Sequence, residues 1–263
     1  MRLPRTGLLA LVALAAVALA ACGGGASTTP GGGGASTTDA GAVAEGGILR
    51  IGYTDPPDGI NPFVGSNQVS YVIFQEMYPA LVQYDADYRL TGDWAESWTT
   101  SPDGRQITFT LRPGEWSDGT PLTAADAVWT GETVLRYKDS STGLMAGYID
   151  GVEKFEALDD HTLRITWKEA KATALANLQP FAILPRHVFE QHVGDGGKGL
   201  DKWDMKAAGR LVGGGPFTVE RYDEKGTTLL KRNPGYYGPK PHLDAIGITV
   251  YQNPDAMVSA FKA

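Results

Sequence analysis

The stretch from Ala95 to Val128, AESWTTSPDGRQITFTLRPGEWSDGTPLTAADAV, leaves the chain few choices. Ser101-Pro102-Asp103-Gly104 is turn chemistry, because proline presets φ and glycine accepts a positive φ. After it, Ile107, Phe109 and Leu111 alternate with Thr108, Thr110 and Arg112, the period of a half-buried strand. Asp118-Gly119 makes a second turn. Thr123 with Asp126 three residues on is a helix N-cap pattern, Asp standing where Glu or Gln is commoner. The order predicts a hairpin, a tight turn and a helix from about Ala124 to Tyr137.

The flanking sequence extends this pattern. Ile48 to Tyr53 reads as the first strand, and Val69 to Leu81 as a mostly buried helix that Pro79 ends or kinks. Two alternating runs, 154–158 and 162–167, form a second hairpin across Asp159-Asp160. A short helix is predicted over 172–178, and another enters at Pro185 and runs to about His192. Residues 194–202 form a loop. Strands over 217–221 and 227–232 pair across the turn at 223–226, and a strand at 246–251 precedes a helix that starts at Pro254. Strands and helices alternate irregularly, which gives a mixed α/β (α+β) class rather than a repeating barrel.

The N-terminus reads as a targeting segment. Arg2 and Arg5 precede the apolar run Leu8 to Leu19, which is short of the ~20 residues that a membrane span needs. It ends in Leu19-Ala-Ala-Cys22, and small residues before a cysteine resemble the lipobox of bacterial lipoproteins. On that resemblance 1–21 is a signal peptide and Cys22 carries the lipid. The alternative is an ordinary secretory signal with an incidental cysteine. Cys22 is the one cysteine in the sequence, so it has no internal disulfide partner. Residues 22–46, rich in Gly, Ser and Thr, suit a flexible tether with a reach of ~25–30 Å. Removing Arg2 and Arg5 takes Lys plus Arg from 23 to 21 against 30 acidic residues, a net charge of −9. That charge argues against nucleic acid and against direct docking on anionic lipid.

Several blocks, in order, resemble the family 5 solute-binding proteins of bacterial ABC importers, the peptide- and nickel-binding family. They are Gly46-Gly-Ile-Leu-Arg-Ile-Gly, Asn61-Pro62, Pro79-Ala-Leu-Val-Gln-Tyr-Asp, and Ala95-Glu-Ser-Trp with Trp116-Ser-Asp-Gly-Thr-Pro-Leu-Thr-Ala-Ala-Asp-Ala-Val. Leu184-Pro-Arg-His-Val-Phe-Glu, Gly215-Pro-Phe and Lys231-Arg-Asn-Pro-Gly-Tyr-Tyr-Gly follow. The resemblance implies a periplasmic-binding-protein type II-like fold of two lobes around a ligand cleft. Residues 47–62 and 180–263 would form an incomplete first lobe, 63–179 an inserted small domain, and the second lobe would be missing. It also implies a monomeric, lipid-anchored extracytoplasmic protein that binds an oligopeptide or similar solute and meets permease subunits. No cofactor is implied.

Ligand contacts on the first-lobe side would follow strand ends: Tyr53 and Thr54 after the first strand, Ser66, Asn67 and Gln68 in the next loop, and Gln179 and Phe181 where the small domain rejoins. Amides suit a peptide main chain and aromatic rings suit side-chain pockets. Asn67 and Gln68 also suit plain loop positions, and Phe181 a core position. The tryptophans fit scaffold better than a sugar-stacking platform. His187 and His192 lie five apart, on different helix faces, so they make a poor zinc pair. Asp85, Asp87, Asp93 and Glu96 mimic part of a calcium loop, but Arg89 and Leu90 occupy positions that such a loop needs. No nucleophile elbow, metal-protease motif or dinucleotide fingerprint appears, so an enzyme is the weaker reading, as is a purely structural envelope protein.

Overall fold

In the computed structural model, which describes residues 44–208 and 211–262, the first strand lies beside the last. The leader 1–21, Cys22 and the tether up to residue 43 lie outside the described residues. The chain runs β1 (Ile48–Tyr53), α1 (Gln68–Met77), β2 (Val82–Tyr84), β3 (Leu90–Gly92), β4 (Ala95–Thr100), β5 (Gln106–Leu111), β6 (Gly114–Glu115), β7 (Pro121–Leu122) and α2 (Ala124–Tyr137). It continues through α3 (Gly143–Ala146), β8 (Val152–Asp159), β9 (Thr162–Trp167), α4 (Ala174–Asn177), α5 (Arg186–Phe189), β10 (Phe217–Arg221), β11 (Thr227–Arg232), β12 (Ala245–Val250) and α6 (Pro254–Lys262).

Two four-stranded sheets organise these elements. One has the order β1-β12-β11-β10, with β1 parallel to β12 from Ile48↔Ala245 to Tyr53↔Val250 and the other pairs antiparallel. The second, β4-β5-β9-β8, is antiparallel throughout. Ile107, Phe109 and Leu111 of β5 and Leu163 and Ile165 of β9 are buried, as their alternation predicts. Helix α1, which a division at residue 62 groups with the inserted part, faces both sheets. Its Val69 and Ile73 pack with Phe217, Leu230, Ile246 and Ile248 of the first. Its Phe74 and Met77 join the larger core that holds Phe109 and Leu163. A helix apolar on two sides belongs between layers.

α1 ends at Met77 rather than near Leu81. Tyr78 precedes Pro79, and proline's ring drives the residue before it out of helical geometry; Tyr78 is extended at φ −114°, ψ 143°. The freed end is capped from a distance. The N–H groups of Gly214 and Gly215 donate to the Met77 carbonyl at 3.0 and 2.9 Å. The glycines permit this approach, since a Cβ at Gly213 would fall 2.5 Å from the Met77 oxygen.

The hairpin, turn and capped helix are all present. Gly104 and Gly119 have φ of +70° and +86°, the left-handed values those turns demand. Asp126 is 6 % exposed and does more than cap α2. Its carboxylate accepts the Thr123 N–H at 3.0 Å, the Trp116 indole N–H at 3.3 Å and the Arg186 N–H at 3.0 Å. It thereby joins the β6–β7 turn, the start of α2 and the start of α5. Burial pushes its pKa up, outweighing those three donors. Each buried donor left without an acceptor costs about 1–3 kcal/mol. Asp126→Ala is therefore predicted to lower unfolding free energy by about 3 kcal/mol, with Asp126→Asn milder because one acceptor oxygen remains. Urea melts of the chain measure both, and equal midpoints for wild type and Ala would refute the shared-acceptor role.

Candidate functional site

β1 and β12 run parallel, so their C-terminal ends share one edge of the first sheet, where the Tyr251 N–H bonds the Tyr53 carbonyl at 2.8 Å. In open α/β sheets, ligands collect at the carboxyl ends of parallel strands. From this edge the loop 54–67 leads to the N-terminus of α1. One carboxylate shapes that loop. Asp58 accepts the N–H groups of Ser66 and Asn67 at 2.9 and 3.1 Å, the Ser66 hydroxyl at 2.6 Å and the Ser70 hydroxyl at 2.8 Å. Partial burial pushes its pKa up, but the Ser66 and Ser70 hydroxyls and the two N–H groups outweigh this and hold it at about 2.

Asn67 is the N-cap of α1. Its Oδ1 accepts the Ser70 N–H at 2.9 Å, and its Nδ2 donates to the Pro56 carbonyl at 2.7 Å. Ser66 and Asn67 thus spend their polar groups on the loop itself. Thr54 and Gln68 are exposed at either end of it, and Tyr53 is half-buried against the first sheet's core. Gln179 lies elsewhere, lining a narrow cavity with Tyr71, Gln75, Tyr78, Pro180 and Ala182. Phe181 offers a ligand no surface. It is fully buried, its ring stacked on Phe155 at 6.2 Å between centroids, because the segment after α4 threads through the larger core.

The cavity brings together residues that strand-end reasoning misses. Tyr71 and Gln75 lie four apart on α1, so they share one side of the helix. The Tyr148 hydroxyl, following α3, donates to that of Tyr71 at 2.5 Å. The side-chain amides of Gln75 and Gln179 make no hydrogen bond among the described residues. The wall therefore presents neutral groups: two free amides, each both donor and acceptor, beside phenol rings. The only sequence signal was the polar pair Tyr71 and Gln75 within an apolar helix.

Other candidates resolve as scaffold. Arg89 holds Asp85 and Asp87 in ion pairs at 3.0 and 2.8 Å, inside the segment that mimics a calcium loop. His187 pairs with Asp118 at 2.8 Å, and His192 stacks on Trp203 at 3.8 Å. Trp94, Trp116 and Trp167 are buried. Among the described residues no group of three or more His, Cys, Asp or Glu side chains is placed to hold a metal ion.

The Asp58 geometry yields a prediction with a defined sign. A carboxyl held below its ordinary value contributes order that is present above pH 3.8 and lost as pH falls through about 2. Asp58→Asn should raise amide hydrogen exchange at Ser66 and Asn67 near neutrality by about fivefold, one net hydrogen bond's worth. The difference from wild type should close on acidification towards pH 2. A variant gap that persists unchanged in acid would contradict this.

Comparisons with known proteins identify the fold and the family. The chain is 27% identical over 211 residues to the probable D,D-dipeptide-binding periplasmic protein DdpA of Escherichia coli, covering 77% of this chain and 39% of that one. It is 30% identical over 243 residues to a probable ABC transporter-binding protein of Deinococcus radiodurans, covering 85% and 40%. The chain thus spans about 40% of the length of these curated relatives. Among solved structures, it superposes on the periplasmic binding protein DppA from Helicobacter pylori, in complex with the peptide STSA, with a TM-score of 0.71 at 25% identity, covering 83% of this chain and 45% of that one. For the ABC transporter substrate-binding protein CtaP of Listeria monocytogenes the TM-score is 0.69 at 30% identity, covering 83% and 43%. The fold is that of periplasmic binding proteins, mixed α/β. The model for bacterial extracellular solute-binding proteins, family 5, middle region, matches residues 89–263, and the chain belongs to that family.

Proposed function

We propose that this chain supplies the first-lobe wall of the solute-binding component of a bacterial ABC importer for peptides or a related solute, anchored outside the cell through a lipid on Cys22. The observation that carries the reading is the match of residues 89–263 to the family 5 solute-binding proteins, on a fold shared with a relative solved in complex with a peptide; the neutral side chains of Tyr71, Gln75 and Gln179 line a narrow crevice beside α1. Free amides pair with a peptide main chain in either polarity, and phenol rings pack against side chains without demanding a charge. These groups hold a ligand rather than transform it.

In this reading residues 47–62 and 180–263 form the first lobe, with 63–179 inserted in it. Ligand bridging this wall to a second lobe biases the pair towards closure, because only differential contact shifts an equilibrium. The closed form is what the permease subunits recognise, and the binding protein acts as a monomer.

Two measurements test this. A strain lacking the gene should lose uptake of a labelled di- to pentapeptide mixture, and a Gln75→Ala, Gln179→Ala double variant should restore the protein but only part of the uptake. Normal uptake in the deletion strain would end the transport reading. Metabolic labelling with a clickable fatty acid should mark wild type and not Cys22→Ser, and equal labelling of both would remove the anchor.

A further inference from the structure

Just ahead of β1 the chain lies against a segment from near its other end. Glu45 precedes Gly46 and Gly47, whose φ angles of +89° and +86° lie in the left-handed region that side chains avoid. Nothing stands within 4 Å of the point where a Cβ on Gly47 would sit, so the glycine there serves the backbone angle rather than close packing. Two such residues in succession make a joint at the start of the first sheet.

Main-chain groups hold one side of the joint. The Gly46 N–H donates to the His242 carbonyl at 2.7 Å, the Gly47 N–H to Asp244 Oδ2 at 3.0 Å, and the Asp244 N–H to the Gly47 carbonyl at 2.9 Å. Side chains hold the other. His242 Nδ1 lies 2.8 Å from Glu45 Oε1, and Arg232 Nη1 lies 4.0 Å from Glu45 Oε2. The His242 bond holds the Glu45 carboxyl below its ordinary value, against slight desolvation and with help from the charges of Lys240 and Arg232. The carboxylate therefore accepts and Nδ1 donates. Arg232, at the end of β11, is itself fixed, because its guanidinium donates to the Pro241 carbonyl at 2.9 Å and to Asp244 Oδ1 at 2.8 Å. Glu45, Arg232 and the segment 241–244 thus converge on one joint from three places in the sequence.

We propose that Glu45 is a latch on a Gly46-Gly47 hinge. With its carboxylate between His242 and Arg232, the entering chain is folded back on 241–244 and held in one direction. With the carboxylate released, residues 44–46 swing while β1 stays paired with β12. The hinge precedes β1, and the loop 54–67 follows the far end of that strand, roughly 17 Å away by the ordinary rise of a strand. A pull on the upstream chain is therefore taken up at the latch and not at that loop. In the anchored reading above, the pull comes from the lipid; the latch itself stands without that reading.

Nuclear relaxation and hydrogen exchange on the full chain test the proposal, with exchange rates corrected for the intrinsic effect of salt. The partners of Glu45 are solvent-accessible, so salt screens the latch and leaves the main-chain bonds intact. Exchange at the Gly46 and Gly47 amides should quicken about threefold, the scale of an exposed ion pair, at high salt or in Glu45→Gln. Order parameters of residues 44–46 should fall in step. Glu45→Gln should show no salt response at these amides. Gly47→Ala, whose Cβ has room, opposes the positive φ and should release the joint with Glu45 still present. The Tyr251 amide, bonded to Tyr53 at the far end of β1, should not change in any of these. A wild type that ignores salt, or a Glu45→Gln variant that matches wild type, would overturn the proposal. So would loosening that spreads equally along β1 and β12, which is fraying of the strand rather than a hinge.

Discussion

The carbonyl of Met77 accepts two N–H groups from Gly214 and Gly215, and most of the molecule is built around that crossing. A helix end in the interior needs donors for its last carbonyls, and no side chain here supplies them. The main chain entering β10 does so instead, at a distance that only glycine allows. The Gly213 carbonyl in turn accepts the Ser117 N–H at 2.8 Å, which brings in the β6–β7 turn. A Cβ at Gly214 would meet the Trp116 ring at 3.1 Å, and that indole reaches Asp126. From Asp126 the contact passes to α2 and α5. The end of one helix, three glycines, one tryptophan and one carboxylate thus tie both sheets into one body.

The local part of this was legible in the sequence. β5 and β9 each bury one face, so their alternation survives in the order of residues, and the β4–β5 and β6–β7 turns require backbone angles that Gly104 and Gly119 announce. Asp126 was legible as a cap because its partner Thr123 is three residues away. Its bonds to Trp116 and Arg186 were not, since nothing local links those positions. The glycine run at 213–215 carries no local sign of the helix end that packs against it. Hydrophobicity continues through Leu81, so the apolar run alone does not end α1; Pro79 marks the break, and the helix gives way at the residue before it, Tyr78. Phe181 shows the same limit, since an aromatic at a junction suits a cleft wall and a core equally until the surrounding chain is present.

Charge is distributed with a consistent logic. The acids that gather several donors, Asp58, Asp93 and Asp126, each fix a backbone junction: a loop on a helix start, a turn on a strand segment, two helix starts on a turn. The candidate ligand wall has none of them and relies on hydroxyls and amides. The negative net charge thus coexists with a neutral lining of amides and hydroxyls beside α1. Ser66 and Asn67 close the loop before α1 with short polar side chains, Ser66 on the Asp58 carboxylate and Asn67 on backbone groups.

The pairing of β1 with β12 also sets an order of events. The two strands meet across 197 residues, the separation of the Gly47 N–H and the Asp244 carboxylate that bond just ahead of them. Closing so long a loop carries an entropic cost that contacts around β12 must offset, and non-local pairing of this kind is slow. The hairpin of β4 and β5 can form as soon as it is made, but the first sheet has no parallel partner for β1 until β12 has emerged. Until β12 has been made β1 stays unpaired along that edge, so the first sheet takes shape only after the β4–β5 hairpin, and β1 remains open to other partners while the residues between are being added.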